Sequence, residues 1–160
     1  MLGDYSDGPT TPLFPFGHGL SYTRFAYADL CIAPERAAAD APIEIACTVT
    51  NAGARPGTEV VQLYVRDLVG SVTRPVRQLV GFARLDLAAG AARRVRFRLD
   101  PSQLAFLDAA MRFVVEPGDF QVMVGASSAD VRLEGGFVIE GETRVLPRLE
   151  RAPTRVRIDE

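Results

Sequence analysis

From Arg24 onward the chain alternates apolar and polar residues in short runs separated by turn-forming clusters. "IEIACTVTN" places Ile43, Ile45, Cys47 and Val49 on one face. "TEVVQLYVRD" does the same with Val61, Leu63 and Val65. "RRVRFRL" sets Val95, Phe97 and Leu99 against Arg94, Arg96 and Arg98, and "GDFQVMVG" turns Phe120, Val122 and Val124 inward. "RFAYADLCIA", "VRQLVGFARLDL" and "ADVRLEGGFVIEG" complete the set, with Gly81 and Gly135–Gly136 as expected bulges. The pattern predicts an all-β fold: an antiparallel β-sandwich of about seven strands over residues 24–140. "DPSQL" predicts one helical turn, capped by Asp100 with Pro101 at its first position. No stretch of a dozen residues has a helical stripe, which argues against a βαβ sheet.

The flanks differ. Residues 1–23 are broken by Pro9, Pro12 and Pro15 and by Gly3, Gly8, Gly17 and Gly19, yet "PLFPFGHGLSYTRF" is rich in aromatics. That combination suits an irregular linker with ordered side chains. Residues 141–160 carry alternating charge and two prolines, and are expected as an extended polar tail, solvated or ordered in part against the body.

Composition narrows the function classes. At 48% hydrophobic, the chain has enough apolar residues for one core. A formal net charge of −2 gives no field that would draw nucleic acid or an acidic membrane, so neither is expected as a partner. All the basic residues except His18 are arginine, and there is no tryptophan. No apolar run approaches the roughly 18–20 residues of a membrane span, and "MLGDYSDGPTT" lacks the basic and apolar regions of a signal peptide; localisation stays open. Alternation turns Cys47 inward and Cys31 outward, so two independent thiols are expected.

Candidate chemistry is sparse. His18 is the only histidine, and "HGLS" with Ser21 fits no nucleophile elbow. One His and two opposed Cys make no tetrahedral metal site, and "FGHG" lacks the lysine and frame of a phosphate loop, so no metal or cofactor is expected. The carboxylates Asp4, Asp7, Glu59, Asp67, Asp86, Asp119 and Glu134 fall mostly in turns or on outward strand positions, which leaves no catalytic pair to name. Arg94, Arg96 and Arg98 form an arginine row, with Glu44 as a cross-strand partner. It reads either as a solvated face or as a docking face for another domain or subunit. Gln62 and Tyr64 share what reads as an outward face, making Tyr64 a candidate contact. Asn51, Gly53 and Gly57 suit turns that need positive φ.

Several ordered motifs together carry a family resemblance. "TPLFPFGHGLSYTRF" resembles the segment that leads from the second catalytic domain of family 3 glycoside hydrolases into their C-terminal domain. "VTNAGARPGTEVVQLYVRD", "RPVRQLVGFARLDLAAG" and "FVVEPGDFQVMVGASS" resemble successive signatures of that family's fibronectin type III-like domain, and "GDY" at the start resembles the bacterial β-glucosidase branch. The similarity spans roughly residues 4–140. It implies a fibronectin III-like, immunoglobulin-like sandwich within an enzyme that hydrolyses terminal β-glucosides or β-xylosides. The nucleophile and acid/base of that family lie on domains this sequence does not contain, so no catalytic residue is carried over. What the resemblance implies instead is a non-catalytic accessory domain. Its partners would be the catalytic domains, with carbohydrate met only through the parent enzyme. Phe14, Phe16, His18, Leu20 and Tyr22 would lie along the packing surface. Two other readings are a carbohydrate-binding module, for which Tyr64 is the one outward strand aromatic, and a free-standing adhesive or structural sandwich.

Overall fold

A computed structural model describes residues 11–148 and 151–159. The start of the linker, including Asp4, Asp7 and the "GDY" motif, lies outside the described residues. Twelve strands run in chain order: β1 Phe25–Ala33, β2 Arg36–Ala38, β3 Ile43–Asn51, β4 Gly57–Asp67, β5 Gln78–Leu87, β6 Ala92–Leu99, β7 Phe106–Leu107, β8 Phe113–Val115, β9 Gly118–Gly125, β10 Val131–Glu140, β11 Arg144–Leu146 and β12 Arg155–Asp159. Seven of them (β1, β3, β4, β5, β6, β9 and β10) have eight residues or more, and these are the seven that alternation predicts. The other five are short pieces of two to five residues, whose period is too brief to read.

The long strands form two layers. One sheet has the order β1-β3-β6-β12, the other β2-β10-β9-β4-β5, and a small third sheet joins β11, β8 and β7. All long-strand pairings are antiparallel. Inward residues of the two large sheets meet in one core: Ile45, Cys47, Val49, Val95 and Phe97 face Val61, Leu63, Val122 and Val124, all fully buried. Truncating Phe97 there to alanine would cost roughly 3–5 kcal/mol. Phe120 and Phe137 stack with centroids 5.2 Å apart.

Local devices set the register. In β1 the pairing slips between Ala28 and Cys31, with Asp29 at φ 55. This slip turns Leu30 and Ile32 toward the core and leaves Cys31 exposed. Cys47 is buried, and burial pushes its thiol up to about 11. Pro101–Leu104 form a 3-10 turn whose cap, Asp100, accepts the Ser102 N–H at 2.9 Å. In β5 the register steps beside Gly81, leaving Val80 as the extra residue. The expected bulge at Gly135–Gly136 is instead three residues earlier: Val131 pairs with Gly125 and Leu133 with Val124, so Arg132 is the extra residue. The two glycines are regularly paired. They are small because a Cβ on Gly135 would sit 2.8 Å from Ile32 Cδ1, and one on Gly136 would sit 2.9 Å from the Phe120 carbonyl oxygen.

The C-terminal residues do more than trail in solvent. β11 pairs with β8, and β12 adds to the free side of β6. Thr154 anchors the entry to β12: its hydroxyl donates to the Val80 carbonyl at 2.5 Å and accepts from Gln103 Nε2 at 2.7 Å.

Candidate docking surface

Residues 11–23 have no regular hydrogen-bonded structure, since Pro12 and Pro15 lack the donor and the glycines lack the stiffness. They nevertheless hold a defined path across the outer face of the five-stranded sheet. A tight turn closes by the His18 N–H donating to the Pro15 carbonyl at 3.0 Å, and the Phe14 and His18 rings lie 5.3 Å apart. The Ser128 N–H donates to the Phe16 carbonyl at 2.9 Å. Gln62 is the central fastener: its Nε2 donates to the Ala126 carbonyl at 2.6 Å and to the Gly17 carbonyl at 3.2 Å. Tyr64 donates its hydroxyl to Gln62 Oε1 at 2.5 Å, fixing the amide orientation. Gly17 needs to be glycine: its φ is +79°, and a Cβ would fall 2.1 Å from Gln62 Oε1.

This arrangement corrects the reading of Tyr64. It does point away from the core face of β4, but the linker and the loop at 126–128 cover it, and only 2% of it is exposed. Tyr64 is therefore a buried support for the linker, not a contact residue.

The far end of the linker is fixed by Asn51, which is fully buried. Its Oδ1 accepts from the Thr23 hydroxyl at 2.7 Å and the Gly53 N–H at 3.1 Å, and its Nδ2 donates to the Arg55 and Leu87 carbonyls at 2.7 and 3.0 Å. Positive φ is not the reason for the neighbouring glycines. Among the described residues only Gly17, Gly90, Gly141, Asp29 and Met111 have it. Gly53 and Gly57 are small because Thr23 packs on them, leaving 2.1 and 2.5 Å to an added Cβ.

What the linker presents outward is apolar. Phe14 is 68% exposed, Phe16 66%, Leu20 93% and Tyr22 96%. His18 is exposed beside them. Between the linker and the sheet runs a groove lined by Phe16, His18, Leu20, Val60, Leu79 and Phe82, and Phe82 itself is 61% exposed. Sequence reading missed Phe82 and Val60. The bulge at Val80 sets which face of β5 Phe82 takes, and a bulge position is hard to fix from alternation alone.

A second buried polar group lies beside the groove. Glu59 shares the inward face of β4 with Val61 and Leu63; it is buried and accepts the Tyr27 hydroxyl at 2.6 Å. Burial raises the Glu59 carboxyl above its ordinary range, against the lowering effects of the Tyr27 bond and Arg132. Burial also pushes the Tyr27 phenol upward, and the Glu59 bond and charge add to this. Asp67 is likewise raised by desolvation in spite of Arg74, whose Nε is 3.6 Å away.

The arginine row lies on the other sheet. Arg96 is held between Glu44, at 2.9 Å, and Asp159, at 2.6 Å. Glu44 is the partner expected from sequence; Asp159 is not, because its strand was read as tail. Arg98 is exposed, and Arg94 is half-buried beside them.

The strand order and the matching regions decide the family. A model of the fibronectin type III-like domain matches residues 59–128, from β4 through β9 to the loop that holds the linker. The sandwich is a fibronectin type III-like domain. Enzymes that contain a similar domain include the periplasmic β-glucosidase of Salmonella typhimurium, 39% identical over 133 residues, which are 83% of this chain and 17% of that protein. A β-xylosidase of Formosa agariphila is 44% identical over 126 residues, 79% of this chain and 17% of that one. Among solved structures, a β-glucosidase from Listeria innocua in complex with glucose superposes with a TM-score of 0.81 at 32% identity, covering 87% of this chain and 19% of that one. This chain spans less than a fifth of the length of each of these relatives.

Proposed function

We propose that this fibronectin type III-like chain is a non-catalytic accessory domain of a family 3 β-glycosidase, and that it packs against and stabilises the catalytic domains through residues 12–23. The observation that carries this reading is the fastened linker: polar bonds hold its backbone to the sheet while its large apolar side chains face outward. A segment that is ordered yet apolar on its open side is what an interface core requires, with aromatic anchors carrying most of the binding energy. Phe14, Phe16, Leu20 and Tyr22 are those anchors, and His18 braces Phe14. The parent activity is hydrolysis of terminal β-glucosides or β-xylosides.

Two measurements test the proposal. The purified chain should not release nitrophenol from aryl β-glucosides or β-xylosides; turnover abolished by a single carboxylate substitution in this chain would refute it. In an intact parent enzyme, Phe16→Ser with Tyr22→Ser should lower the thermal midpoint and raise protease sensitivity without removing a catalytic group. An unchanged midpoint would remove the docking role.

The carbohydrate-binding alternative now rests on Phe82 and the groove, because Tyr64 is buried. Titration with cello- and xylo-oligosaccharides, followed by amide shifts around Phe82, distinguishes it from docking.

A further inference from the structure

The outer face of the four-stranded sheet has a property that the fold does not need. Cross-strand partners in β6 and β12 share a face, and their register sets Arg98 opposite Arg155 and Arg96 opposite Arg157. With Arg94, five arginines gather where, among the described residues, Glu44 and Asp159 are the acids that reach them, a surplus of three positive charges among those residues. Asp159 already serves both Arg96 and Arg157. Among the described residues Arg98 and Arg155 have no ion-pair partner, and both are exposed. Like charges placed directly across a strand pair oppose the pairing, so the arrangement favours an incoming anion.

A second observation points to the shape of what carries that anion. Among the described residues β12 has a strand neighbour on one side only. Its alternate side chains, Val156 and Ile158, point to the core side opposite Phe97 and Val95, yet they are 41% and 45% exposed. Charged residues on an edge strand can serve simply to repel stray strands. That role accounts for Arg155 and Arg157 but not for two half-uncovered apolar side chains on the inner side of the same strand.

We propose that β12 accepts a further strand from a partner protein: an extended acidic segment with acidic and apolar residues in alternation. Its main chain bonds to the open edge of β12. Its carboxylates, about 7 Å apart along one face, meet Arg155 and Arg157 and reach Arg98, while its apolar residues cover Val156 and Ile158. The site lies on the opposite sheet from the linker, so it does not depend on the docking surface.

The test uses the whole chain and a fluorescently labelled peptide of seven alternating Glu and Val residues between Gly-Ser flanks, followed by anisotropy and by amide shifts. Binding should weaken about tenfold between 50 and 500 mM NaCl, since exposed charge pairs are screened. Arg155→Glu and Arg98→Glu, two exposed positions whose folding is checked by circular dichroism, should each weaken binding by about tenfold or more. Val156→Ser should weaken it without changing the salt dependence. Shifts should concentrate in 93–98 and 155–159. The proposal is overturned by equal binding of a Lys-Val peptide, of a scrambled Glu-Val peptide, or of one N-methylated along its bonding edge. Equal binding of a single-stranded DNA oligonucleotide would reduce the face to a general polyanion surface. A concentration-dependent dimer in sedimentation would give the edge to a second copy of the chain.

Discussion

The Thr23 hydroxyl donates to the Asn51 carboxamide oxygen at 2.7 Å, joining the last turn of the linker to a fully buried residue at the end of β3. Asn51 satisfies two donors and two acceptors at once, the most an amide side chain usually serves in a protein interior. Asn51→Ala leaves all four without that partner, one in a buried bond and three in part-buried ones, and should cost roughly 2–4 kcal/mol in chemical denaturation. Thr23→Val removes one of the four and should cost about 1 kcal/mol. A loss below about 0.5 kcal/mol for Asn51→Ala would mean the hub is not structural.

Gly17→Ala should separate the linker from the sandwich. The new methyl would meet Gln62 Oε1 at 2.1 Å, on a backbone whose φ of +79° already disfavours alanine. The segment 12–22 should become a site of fast proteolytic cutting, while the unfolding free energy of the body changes by less than about 1 kcal/mol, because the core is untouched. If the cutting rate stays at the parent value, the Gln62 fastener is not what holds the path.

Stability should decline as the pH rises above 4.5, the ordinary glutamate value. The folded state holds the Glu59 proton more tightly than the unfolded state does. Over the interval between the two values the unfolded chain therefore binds fewer protons, and raising the pH favours it. Asp108, Asp130 and Asp159 act the other way: their hydrogen-bonded carboxylates lie below 3.8, and their contribution is lost as the pH falls through the folded values. Glu59→Gln keeps an acceptor for Tyr27 and cannot ionise, so its thermal midpoint should change less than that of the parent as the pH rises from 4.5. Parallel curves for the two proteins would exclude Glu59 as the source.

Gly125→Ala should be among the most damaging single-methyl additions. An added Cβ would lie 2.1 Å from the Asp130 carbonyl oxygen and 2.9 Å from Val131 Cα, and backbone cannot step aside as a side-chain tip can. A loss of about 3 kcal/mol or more is expected, with disturbance of the 126–130 loop that holds Phe16 and Gln62. Gly90, at positive φ and with nothing within 4 Å of an added Cβ, isolates the conformational cost alone and should lose about 1 kcal/mol on the same change.

How far sequence alone reaches can be seen residue by residue. Ile45, Val61, Phe97 and Val122 are legible because period two, held over eight or more residues, leaves one self-consistent inward face. Cys31 and Cys47 follow from the same alternation. Tyr64 misleads because alternation reports which side of a sheet a residue takes, not whether another segment lies on that side. Glu59 shares the inward parity of Val61 and Leu63, but alternation does not name Tyr27 as the group that meets it there. Gly53, Gly57 and Gly135 signal a special backbone, yet what they provide is room for Thr23 and Ile32, a long-range relation that local sequence does not encode. "RVRID" has the strand period, but at five residues beside two prolines it is too short to stand out from an extended tail.

Strand β12 takes an outside place beside β6. The pairing of β1, β3 and β6 can therefore form before β12 docks, and nothing already formed must be prised open to admit residues 155–159. Completion of the sheet is an act of closing a flank, not of threading an interior, so a released chain cut before residue 155 should hold most of its sandwich with one side of β6 bare.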